Sequence, residues 1–106
     1  MSDAAKAFAT LVDHFKDDPA VSVGQMFGKA CLKVNGKAFV AHQQDLLAFK
    51  LTAPHHAEAL SSPHAALWDP SSKGRPMKEW VALPPPPGKK STTFAAAARA
   101  YVAEGA

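Results

Sequence analysis

The sequence predicts an α+β domain of two layers, in which an antiparallel sheet is packed against N-terminal, short middle and C-terminal helices. Three observations lead there. Apolar residues recur at helical spacing at both ends of the chain, short runs of strand character fill the middle, and Asn35-Gly36 joins two of those runs as a tight turn. With 106 residues and 47% hydrophobic content the chain can build one compact core, so a single domain over residues 1–106 is expected.

The first helix follows from Phe8, Leu11, Val12 and Phe15, which fall at i, i+3, i+4 and i+7 and line one face. Ser2 can cap its start, and Asp3 suits the positive end of its dipole. Asp17-Asp18-Pro19 closes it, because proline disfavours helix in the residue before it. Residues 21–27, VSVGQMF, read as an extended segment whose Gly24 marks a bulge, and Gly28 supplies a bend. At Asn35-Gly36 a type I′ turn needs positive φ at both residues, which this pair tolerates best. A two-residue loop then sets Val34 opposite Lys37, Leu32 opposite Phe39 and Cys31 opposite Val40. On that register Ala30, Leu32, Val34, Phe39 and Ala41 face the core.

Residues 45–51, DLLAFKL, add a strand with Leu47, Phe49 and Leu51 turned inward. The segment TAPHHAEALSSP, 52–63, reads as a short helix begun by Pro54 in its first turn, with Ala57 and Leu60 inward. Asp-Pro, Lys-Gly and Arg-Pro pairs make a long turn between Trp68 and a last strand over residues 78–83. Residues 84–90, PPPPGKK, form a stiff connector. Phe94, Ala97, Ala98, Tyr101 and Val102 then restore helical spacing in an alanine-rich closing helix.

Residues 26–42 (MFGKACLKVNGKAFVAH), 46–51 (LLAFKL) and 68–84 (WDPSSKGRPMKEWVALP) resemble, in order and spacing, the N-terminal domain of the TfoX/Sxy family of bacterial competence regulators. The resemblance covers about residues 8–103. It is most specific at Met26-Phe27-Gly28, Asn35-Gly36-Lys37 and Gly74-Arg75-Pro76-Met77 with Glu79-Trp80. It implies a two-layer α+β fold like that of the related MmcQ/YjbR proteins, and a regulatory, non-enzymatic role with no catalytic residues to carry over. The best-known members carry a second, helical domain, so a chain ending at Gly105-Ala106 is expected to be a stand-alone N-terminal domain.

Composition limits the alternatives. The N-terminal segment breaks its apolar pattern with charges, so neither a secretory signal nor a membrane span is expected and the location should be cytoplasmic. One cysteine, Cys31, excludes an internal disulfide framework. The formal net charge is +3, with residues 29–90 carrying nine basic against four acidic side chains. That basic middle permits contact with nucleic acid, although Arg75 and Arg99 are too few for base readout, and a solvated surface shows the same balance.

No cofactor or metal is expected. His55, His56 and His64 with Asp69 invite a metal reading, but adjacent histidines diverge by about 100° on a helix and read as surface residues. Cys31 with His42 on the same predicted face suggests a nucleophile and base, yet lacks an oxyanion donor and reads as a small apolar strand residue. Asp17 and Asp18 have no reason for burial, which leaves their acidity ordinary. Arg75 reads as a clamp to Asp69 or Glu79, or as a grip on a carboxylate or phosphate. Trp68 and Trp80 read as core anchors.

The remaining candidate is the sheet face away from the helices. It is expected to present Cys31, Ala38, Val40, Leu46 and Ala48 within a border of Lys29, Lys33, His42 and Lys50, an apolar centre with a basic rim. A protein partner or a second copy of the chain would dock there, and Val40→Glu would weaken that contact while sparing the fold.

Overall fold

The computed structural model describes residues 3–26, 28–69, 74, 77–85 and 89–105. Its elements run α1 (Asp3–His14), β1 (Val21–Met26), β2 (Lys29–Val34), β3 (Lys37–Gln43), β4 (Leu46–Lys50), α2 (His55–Leu60), β5 (Ala66–Trp68), β6 (Met77–Leu83) and α3 (Lys90–Ala103). The strands form one antiparallel sheet in the order β1-β2-β3-β4-β6-β5. The expected α+β class is what the chain adopts. Among the described residues no helix is long and apolar enough to cross a membrane. The expected Ser2 cap, Arg75 and residues 86–88 of the proline-rich connector lie outside the described residues.

All three helices contribute to one core on one face of the sheet. Phe8, Leu11 and Phe15 of α1 and its following turn, Ala59 of α2, and Phe94, Ala95, Ala98 and Val102 of α3 meet Leu32, Val34, Phe39, Leu47, Phe49, Val81 and Leu83. Aromatic contacts run through it, with Phe15 edge-on to Phe39 at 5.5 Å and Phe49 against Phe94 at 5.8 Å between ring centres. In α2 the buried residue is Ala59, whereas Ala57 and Leu60 are exposed, so the inward face of this single-turn helix differs from the expected one. His56 makes the difference: its Nε2 lies 2.8 Å from the Lys78 carbonyl, which anchors α2 to β6 through a hydrogen bond.

The Asn35-Gly36 turn has the expected backbone, with φ of 52° and 82°, and Val34 pairs with Lys37. Two residues on, the register departs from simple alternation. Lys33 pairs with Ala38 but Leu32 pairs with Val40, so Phe39 is an extra residue in β3, a β-bulge. Phe39 and Val40 therefore both enter the helix-side core, and every β3 residue beyond them changes face. Gly24, by contrast, sits in an unbroken register opposite Cys31 and is not a bulge. Its missing side chain makes room for Lys33, whose Cε would lie 3.0 Å from a Cβ at position 24.

Open space surrounds Gly36, so replacing it tests the backbone alone. Gly36→Val should cost about 1 kcal/mol or more by forcing a β-branched residue to positive φ. Urea melts check this, and an unchanged midpoint would contradict the turn's role.

The turn after α1 is tied to α3. Arg99 donates from Nε to Asp18 Oδ2 at 2.6 Å and from Nη2 to Oδ1 at 3.2 Å, while the Ala20 N–H also donates to Oδ1. The Arg99 guanidinium holds the Asp18 carboxyl below its ordinary pKa, and Asp18 in turn raises that of Arg99. Asp18 is thus a fastening between distant segments rather than an ordinary helix-end carboxylate.

Candidate interaction surface

The sheet face away from the helices is closed by the protein's own tryptophans. Cys31, Ala41, Ala48 and Ala82 form a floor of small side chains, and Trp68 and Trp80 belong to the same buried cluster, their rings 5.1 Å apart and tilted by 50°. Both indoles are almost wholly buried. Trp68 Nε1–H donates to Gln43 Oε1 at 2.9 Å, which satisfies its polar edge. The small residues of this face accommodate two large rings from β5 and β6.

The predicted apolar centre with a basic rim is therefore not an open patch. Val40 is fully buried on the opposite, helix-side face, carried there by the bulge at Phe39. For the same reason His42 crosses to the helix side, where its ring stacks on Phe8 at 5.6 Å and its Nε2 lies 2.9 Å from the Gln44 carbonyl. Ala41 takes the place expected for Val40. Lys29 and Lys33 are half-buried on β2, with Lys33 lying across Gly24. Lys50 turns to Glu79 at 3.8 Å, and Tyr101 donates its hydroxyl proton to that same carboxylate, which raises the Tyr101 pKa. Arg75 cannot be placed against this set, since it is outside the described residues; Asp69, one of its expected partners, accepts from the Gly74 N–H at 2.8 Å.

Cys31 and His42 thus lie on opposite faces and make no nucleophile and base. Burial pushes the Cys31 thiol upward, keeping it protonated. The native protein should leave Cys31 unmodified by a thiol reagent that labels it fully in denaturant; rapid native labelling would contradict the closed face. Among the described residues no three potential metal ligands converge.

A cleft of about 430 Å³ lies between the end of α2 and the start of α3, lined by Glu58, Pro63, His64, Pro84, Lys90 and Phe94 among others. Lys90 is ion-paired to Glu58 there and sits 6.0 Å from the centre of the Phe94 ring. The pair lowers the Glu58 pKa, so the cation that could grip an anionic ligand is already engaged.

One edge of the sheet, at β1, is open. This terminal strand pairs with β2 over all six residues, and none of Val21, Ser22, Val23, Gly24, Gln25 or Met26 carries a charge. Val23 is 59% exposed, because α1 and α3 pack chiefly over β3 and β4. The Asn35 N–H donates to the Ala20 carbonyl at 2.9 Å, and antiparallel alternation from that bond assigns Ser22, Gly24 and Met26 to the ladder with β2. The N–H and C=O of Val23 and Gln25 consequently point outward, as does the Val21 carbonyl. Edge strands are commonly blunted by lysine, proline or a bulge, and β1 itself contains none of these, although Lys33 of β2 lies across its Gly24. Its neutral sequence was legible from the start; its terminal position is set by topology.

No protein-family model matches the chain, and no curated protein or solved structure shows significant similarity to it.

Proposed function

We propose that the protein is a non-enzymatic regulatory module that works by binding another protein, the role implied by its resemblance to the TfoX/Sxy N-terminal domain. The observation that carries this reading is the open edge of β1, an uncharged strand with outward backbone donors and acceptors beside an exposed valine. Such an edge recruits an extended segment by main-chain hydrogen bonding, and side chains on alternate positions select it. Among the described residues, several chemistry-bearing groups are engaged in the fold: Cys31 lies under the indoles, His42 against Phe8, and Lys50 and Lys90 beside carboxylates.

Affinity capture from the native cell, with wild type and Val23→Lys as parallel baits, tests the reading. A defined protein retained by wild type and lost with the lysine variant is expected. Titration of duplex DNA across a salt series supplies the counter-test: micromolar binding that collapses as salt rises would replace protein contact with nucleic-acid binding through the basic middle.

A further inference from the structure

We infer that the segment recruited by β1 is β1 of a second copy of this chain, paired antiparallel about a two-fold axis at Val23. This rests on the protein-contact reading above and names its partner. The outward groups are arranged symmetrically for it. With the axis at Val23, the two Val23 residues exchange N–H···O=C bonds, and each Gln25 N–H meets the partner's Val21 carbonyl. The Val21 N–H is the one outward donor already taken, by the Asp18 carbonyl at 3.1 Å, and this register does not depend on it.

Side chains and charge favour the same arrangement. Val23 lies on the helix side of the sheet, opposite Leu32, so the symmetric pair sets one exposed valine directly against another and removes both from water. Within β1 there is no charge to be repeated across the axis; the cation beside it, Lys33 of β2, lies across Gly24 on the other face of the sheet from Val23. Beyond its ends the charge is opposite in sign: with Lys16 paired to Asp13 and Asp18 to Arg99, exposed Asp17 is the acidic group before the strand, and Lys29 follows it. Antiparallel pairing brings the acidic end of each copy beside the basic end of the other, whereas parallel pairing would align like with like. The result is a sheet continuous through both protomers.

A six-residue strand spans about 20 Å, and two such strands bury less than the roughly 1,200 Å² of a standard stable interface. The dimer is accordingly weak and reversible, and its test needs a concentration series reaching the millimolar range. Sedimentation equilibrium of the full chain should show a monomer–dimer equilibrium for wild type. Val23→Lys places two cations together at the axis and should weaken association at least tenfold. Val23→Pro removes the outward N–H without removing a bond to β2 and should do the same, while Val23→Thr, which keeps the β-branch and the donor, should retain the dimer. Circular dichroism checks that each variant is folded; the lysine and proline variants disrupt the edge by different means, so misfolding of one leaves the other to decide. A wild type that stays monomeric throughout, or a dimer indifferent to both variants, overturns the inference. A monomer that still captures a foreign protein through Val23 overturns only the self-pairing and leaves the protein-contact reading standing.

Discussion

Val40→Glu is expected to unfold the protein or bring it close to unfolding. Val40 has no exposed surface and lies in the core shared by the sheet and the helices. A glutamate there must either strand a carboxylate in an apolar site or take up a proton and still overfill the space. Substitutions of this kind lie in the extreme class, above about 4 kcal/mol, against a total stability of about 5–15 kcal/mol for a domain of ordinary stability. Chemical denaturation followed by circular dichroism reads the effect. A midpoint near that of wild type would mean that Val40 faces solvent, and would remove the bulge at Phe39 from the account.

Trp80→Ala should cost about 3–5 kcal/mol, the usual range for deleting a buried aromatic side chain. The loss is large because Trp80 supports Trp68 as well as covering small residues that cannot expand into the vacated space. It has a second readout. With half of the indole cover gone, Cys31 should become open to thiol reagents under native conditions, at a protein concentration and temperature where the variant remains folded. Stability loss without thiol exposure would show that other groups shield the cysteine.

What could be read from the sequence was local. The apolar face of α1, the positive-φ turn at Asn35-Gly36, and the inward set Leu47, Phe49 and Leu51 each follow from spacing over a few residues, and each is found where spacing puts it. The bulge at Phe39 had no such signal: no glycine marks it, and strict alternation through FVAH gives a self-consistent but inverted face beyond that point. That single extra residue moved Val40 and His42 out of the expected surface and Ala41 into the small-residue floor. The Asp18–Arg99 pairing joins positions 81 residues apart, and the Trp68–Trp80 cover depends on β5 returning beside β6. Neither is written in a local pattern. The small side chains of β2, β3 and β4 carry no sign in the sequence of what covers them; that the occupant is the protein's own pair of indoles follows from the topology.

The central claim is that the sheet offers contact through its β1 edge and not through its tryptophan-covered face. Amide and indole resonances in proton–nitrogen correlation spectra, followed as the protein is concentrated, test it most directly because they report both surfaces in one sample. Concentration-dependent shifts or broadening should centre on the Val23 and Gln25 amides, leaving the Trp68 and Trp80 indole signals unmoved. Shifts centred on the two indoles and the Ala38 and Ala48 amides, with Val23 and Gln25 constant, would place the contact on the broad face and contradict the account.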